Sequence, residues 1–190
     1  WSRVGKDGVL KPGEGYTMKG SNSDSTEQNY TFVGKPNNGN IYLPINTGKQ
    51  YLIGNPYPSA IDAKEFIRNN ISSENGGNSP IDVIDGTLYF WDHFGGGTHL
   101  LISYEGGYSI LTLIGSEEAS AIDPIINDTK KHSIKAAQRF IPVAQGFFVT
   151  GAPSLTKTEY IQFNNNQRVF KKENASVSVF LKGNSKNNVK

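Results

Sequence analysis

The chain has 190 residues and a net charge of +2, from 19 Lys and Arg against 17 Asp and Glu, with no Cys. That composition excludes a disulfide framework, a thiolate metal site and a cysteine nucleophile. It leaves no electrostatic footprint for nucleic acid, and no apolar run approaches the ~20 residues of a membrane-spanning helix.

The length suits one all-β domain, residues 1–190, large enough for its own core. The 21 Gly, the many Asn and Ser, and 11% aromatic residues predict short strands between many turns. Trp1 opens the sequence with no Met and no charged n-region, so the chain is expected to be a piece of a larger protein. Lys11–Gly15 reads as a turn, Gly15–Gly20 as a short strand and Ser21–Gln28 as a polar loop. Asn29–Val33 alternates with Tyr30 and Phe32 on one face, as a half-buried strand does. Ile41–Ile45 is a further strand, and a short apolar run, Tyr51–Ile53, follows.

That run stops at Gly54-Asn55-Pro56-Tyr57-Pro58. Two prolines fix two φ angles and push Asn55 and Tyr57 out of the α region. The segment is therefore expected to be a rigid corner between the two halves of one β domain. It feeds a helix over 62–70, with Asp62 as N-cap and Glu65 closing a capping box. Ile61 and Phe66 are spaced as a hydrophobic staple.

Residues 72–80 read as a loop. In Thr87–Asp92, Tyr89 and Trp91 share one face and Leu88 and Phe90 the other, the pattern of a central strand. Leu100–Tyr104 and Tyr108–Leu113 are predicted strands joined by a Glu105-Gly106-Gly107 turn, making 81–114 a meander. Glu117–Ala121 could form a helical turn, and Asp123–His132 reads as a long loop. Ile141–Thr150 is predicted as one strand, with Gly146 marking a bulge or a close backbone contact. Glu159–Phe163, a turn at Asn164–Asn166 and a last strand around Val177–Leu181 complete the expectation. The fold predicted is an antiparallel β-sandwich, jelly-roll-like, with one short helix.

The blocks Gly13–Tyr16, Phe32–Gly39, Leu52–Asp62, Gly86–His93, Ile141–Val149 and Phe163–Arg168 together resemble a module near the C-terminal end of very large secreted Bacteroidetes proteins. In those proteins the module precedes the sorting domain of the type IX secretion system, and some of them resemble adhesins linked to gliding motility. The resemblance implies export, an extracellular or cell-surface location, and the type IX translocon and its shuttle proteins as partners. It supplies no catalytic residues. The expected function is that of a non-catalytic module serving adhesion or presentation of the C-terminal region to the export machinery.

The first alternative is a carbohydrate-binding module, with a surface polysaccharide as partner. Tyr89, Trp91, Tyr104 and Tyr108, with Phe90 and Phe94 close by, could form a sugar-stacking platform, although such aromatics more often fill a sandwich core. A glycoside hydrolase is the second alternative, but no spacing among Asp82, Asp85, Asp92, Glu117 and Glu118 singles out an acid/base pair. No cofactor is expected. His93 and His99 with Asp92 make a thin zinc signal, and Asp123, Asn127 and Asp128 offer oxygens that Ca²⁺ could use. Ser25, in Asp24-Ser25-Thr26, resembles a Bacteroidetes O-glycosylation acceptor.

Overall fold

The computed structural model describes residues 3–5, 7–17, 31, 33–95, 105–120 and 132–172. They form an antiparallel, sandwich-like all-β fold with one short helix. In chain order the elements are β1 (Ile41–Ile45), β2 (Gln50–Gly54), β3 (Ala60–Asp62), α1 (Ala63–Asn70), β4 (Leu88–Gly95), β5 (Glu105–Leu111), β6 (Ser116–Ser120), β7 (His132–Ala136), β8 (Phe140–Ile141), β9 (Gly146–Thr150), β10 (Glu159–Phe163) and β11 (Arg168–Val169). One sheet has the order β2-β9-β4-β5-β6-β7; a three-stranded sheet has β11-β3-β8; and β1 pairs with β10.

Alternation along the strands builds the core. From the six-stranded sheet, Ile53, Leu88, Phe90, Leu111, Phe147 and Val149 turn inward and are buried. Leu43 and Ile45 of β1, Ile161 and Phe163 of β10, and Phe66 of α1 are buried in the same cluster. Ring contacts join the two layers: Phe66 meets Phe147 edge-on at 5.5 Å and Phe163 at 4.8 Å, and Phe90 stacks on Phe147 at 5.5 Å. Each such side chain contributes about 1.5–3 kcal/mol through burial.

The helix forms where the cap and staple place it. The Asp62 carboxylate accepts from the Lys64 N–H at 3.0 Å, and Ile61 and Phe66 are fully buried. The capping box does not close: Glu65 pairs with Arg68 one turn on, and Asp62 accepts three hydrogen bonds from Arg139, Nε to Oδ1 at 3.1 Å and to Oδ2 at 3.0 Å, and Nη2 to Oδ2 at 2.7 Å. The helix ends at Asn70, whose side chain acts as a surrogate strand. Its Oδ1 accepts the Gln162 N–H at 2.7 Å and its Nδ2 donates to the Gln162 carbonyl at 3.0 Å.

Four expectations are corrected. Glu105-Gly106-Gly107 is not a turn but the start of β5, with Gly106 opposite His93 and Gly107 opposite Asp92. Glu117–Ala121 is not a helical turn, because Ser116–Ser120 is β6, in register with β5 through Ile110↔Glu117. Ile141–Thr150 is not one strand. Ala144 takes φ 62°, and the turn it makes breaks the run into β8 and β9, which lie in different sheets. The outer face of β4 is half-exposed, so this central strand does not have both faces fully covered. The predicted strands at Leu100–Tyr104 and Val177–Leu181 lie outside the described residues, as do half of Gly15–Gly20 and most of Asn29–Val33.

Candidate functional site

Because side chains alternate across a strand, the residues of the six-stranded sheet that do not enter the core share its outer face. Register sets Leu52 opposite Phe148, Phe148 opposite Tyr89, and Tyr89 opposite Ile110, with Trp91 opposite Tyr108 on the next rung. All six are half-buried. Tyr108 is the hub. It meets Trp91 at 5.0 Å, Phe148 at 5.5 Å and Tyr89 at 6.4 Å, with interplanar angles of 71°, 88° and 85°. Such edge-to-face contacts hold rings in fixed orientations and contribute about 0.5–1.5 kcal/mol each beyond burial.

Two glycines make room for this arrangement. A Cβ on Gly106 would lie 2.4 Å from the indole Cζ2 of Trp91, so the indole occupies the space above the β5 backbone that any other residue would fill. Gly15, on the outer edge of β2, would place a Cβ 2.4 Å from Leu52 Cγ, and the Gly15 N–H donates to the Leu52 carbonyl at 3.0 Å. Burial, and then the neighbouring Asp85 carboxylate, hold the Tyr89 hydroxyl above the ordinary phenol pKa. Burial does the same for Tyr108. Both phenols therefore stay neutral at physiological pH. Tyr89 donates to Asp85 Oδ2 at 3.3 Å, and the Thr87 N–H donates to Oδ1 at 3.0 Å. The Asp85 carboxyl is itself raised by burial.

Of the predicted platform, Tyr89, Trp91 and Tyr108 come together on one face, whereas Phe90 belongs to the core. Tyr104 lies outside the described residues, as do His99, Asp123, Asn127, Asp128 and Ser25. Phe148 completes the cluster and is absent from the predicted platform. The signal was the Phe147-Phe148 pair, since adjacent strand residues point to opposite faces. For the same reason Asp92 and His93 diverge: Asp92 is 1% exposed on the core side, and His93 lies half-buried on the outer face. Among the described residues no three His, Asp or Glu side chains gather as a metal group.

The corner residues do something different. Gly54 pairs with Gly146 at the end of β2. Asn55 is buried; its Nδ2 donates to the Ser59 carbonyl at 2.8 Å and the Pro142 carbonyl at 3.1 Å, and its Oδ1 accepts the Tyr57 N–H at 3.0 Å. The Pro56 carbonyl accepts from Asn37 at 2.8 Å. Pro58 is exposed between these anchors. The Tyr57 hydroxyl donates to the Gly39 carbonyl at 2.6 Å, and the Arg168 guanidinium lies 5.3 Å from the Tyr57 ring. Arg168 reaches Ser59 at 3.2 Å and Asn38 at 3.0 Å. The corner carries the chain from the six-stranded sheet to the three-stranded one, and its polar groups are used up in holding that passage together.

A family model described as "Domain of unknown function (DUF8693)" matches residues 1–190. No curated protein and no solved structure matches the chain.

Proposed function

We propose that this chain, which belongs to the family described as a domain of unknown function (DUF8693), is a non-catalytic adhesive module of a secreted bacterial surface protein. The observation that carries the reading is the aromatic face of the six-stranded sheet, where Tyr89, Trp91, Tyr108 and Phe148 are held half-exposed. None of the four is fully buried, and a contiguous aromatic cluster that reaches the surface is a common mark of a binding face. Placement ahead of a type IX sorting domain is supported by the sequence resemblance centred on Gly54–Asp62. In that placement the translocon and its shuttle proteins meet the parent protein during export, and the module stands outside the cell.

Beads coated with the full chain test the adhesive role. They should adhere to bacterial-cell and polysaccharide-coated surfaces, and beads carrying Trp91→Ala/Tyr108→Ala should adhere less. Equal adhesion by the two would contradict the reading.

The four rings on one face also favour a second reading, in which the adhesive ligand is a polysaccharide stacked on them. Quenching of Trp91 emission by a soluble polysaccharide, in a Trp1→Phe background, would support it. Unchanged emission across a panel of polysaccharides would remove it.

A further inference from the structure

We propose that the groove between the β1–β10 ribbon and the C-terminal end of α1 is a separate binding site for a neutral saccharide. The ribbon alternates strictly: Leu43, Ile45, Ile161 and Phe163 enter the core, so Tyr42, Pro44, Tyr160 and Gln162 face outward. This outward face lies across the core from the aromatic stripe, so the inference does not rest on the adhesive reading.

The groove is an open depression of about 400 Å³ lined by Tyr42, Tyr160, Asn69, Gln162, Glu159 and Val83. Tyr42 is 54% exposed and Tyr160 56%, more than any other tyrosine or tryptophan that the structure describes. Register puts Tyr42 opposite Gln162 and Pro44 opposite Tyr160. The two rings are therefore diagonal neighbours on adjacent strands, with Cβ atoms roughly 7–8 Å apart. Tyr42 is steadied by its hydroxyl, which accepts from Asn40 Nδ2 at 3.2 Å.

The polar groups beside them are pre-oriented. Asn69 Oδ1 accepts two hydrogen bonds, from Asn164 Nδ2 at 2.7 Å and Gln167 Nε2 at 2.9 Å. Asn164 and Gln167 are in turn locked to each other by a capping box. The Asn69 amide therefore has one orientation, with its Nδ2 donors left for a ligand. The Gln162 backbone is taken by Asn70, and no hydrogen bond occupies its side-chain amide among the described residues. Two exposed rings for the apolar faces of sugar rings, flanked by fixed amides for hydroxyls, match a saccharide better than an apolar ligand, which would leave the amides unpaired. The charged member of the lining is a carboxylate, Glu159, held 3.4 Å from Lys157. It disfavours acidic sugars and phosphate and accepts from a hydroxyl, so the ligand is neutral.

The test is a titration of the ¹⁵N-labelled full chain with cellohexaose, mannohexaose and laminarihexaose, and with an oligogalacturonate as the acidic counterpart. At least one neutral hexaose should shift the side-chain amide signals of Asn69 and Gln162. Tyr42→Ala and Tyr160→Ala should each weaken that binding about tenfold or more, while Tyr42→Phe and Tyr160→Phe retain it. The proposal is overturned if no neutral hexaose shifts those amides, if binding survives both alanine variants, or if only the oligogalacturonate binds. It also fails if the shifts centre on Trp91 and Tyr108, which would assign the sugar to the aromatic face instead.

Discussion

Asp62 serves three structural purposes at once. It ends β3 opposite Phe140, caps α1 through the Lys64 N–H, and receives the fork of Arg139 from the segment before β8. Its side chain is 7% exposed and that of Arg139 52%, so Arg139 can rehydrate when the pair is broken but Asp62 cannot. Asp62→Ala should cost about 2–3 kcal/mol, the cap plus a charge-assisted hydrogen bond, and Arg139→Ala should also destabilise, because it leaves the buried carboxylate without its cation. Urea unfolding of both single variants and the double variant should give a non-zero coupling energy; additive losses would refute the pairing. Asp82 offers a pH-dependent counterpart. Burial alone would raise its carboxyl, but the Ser72 N–H at 2.7 Å and Asn75 Nδ2 at 2.7 Å outweigh burial and hold it below the usual carboxylate range. With a depressed folded pKa, its contribution is present above the unfolded value and is lost as pH falls through the folded one. Melting curves across the acid range should show Asp82→Asn less stable than wild type near neutrality, with the gap closing toward acid. Parallel curves would contradict this.

At the scale of elements, what the sequence made legible was whatever a local rule decides. The cap, the staple and the Pro corner place α1 to within a residue, and alternation assigns the faces of β4. What escaped it depended on partners distant in the chain. Glu105-Gly106-Gly107 has turn composition, yet these glycines are strand residues because the Trp91 indole fills the space over Gly106. Ser116–Ser120 carries two glutamates and little β propensity, yet Ser109 ties it in: its hydroxyl donates to the Glu117 carbonyl at 2.6 Å and accepts the Ala137 N–H at 2.7 Å. The aromatic stripe was half legible for the same reason. Tyr89 and Trp91 read directly from alternation, whereas Phe148 joins them only through the β4–β9 pairing. Gly106→Ala isolates the role of the glycine seat. The new methyl would sit 2.4 Å from Trp91 Cζ2 and 3.2 Å from the Asp92 carbonyl, so the indole must tilt, at about 1–3 kcal/mol for overpacking. Near-ultraviolet dichroism and Trp91 emission should both change. An unaltered spectrum would mean that the indole does not lie on Gly106.

Across the whole molecule, segments distant in the sequence meet at the proline corner. Asn37, Asn38 and Gly39 reach Pro56, Arg168 and Tyr57, and Asn55 reaches Ile141 and Pro142. The corner residues are thus scaffold: their hydrogen bonds end on one another. Among the described residues, the two surfaces proposed for recognition are the aromatic ones on either side of the core, built from residues in plain alternating strands with no motif to announce them. The adhesive account stands or falls on the aromatic face of the six-stranded sheet, and the bead assay reads it most directly. With melting temperatures matched to wild type, beads carrying Trp91→Ala/Tyr108→Ala are predicted to lose most of their adhesion, while beads carrying Tyr42→Ala/Tyr160→Ala keep theirs on any surface that the aromatic face alone engages. Full adhesion by the Trp91→Ala/Tyr108→Ala beads would contradict the account.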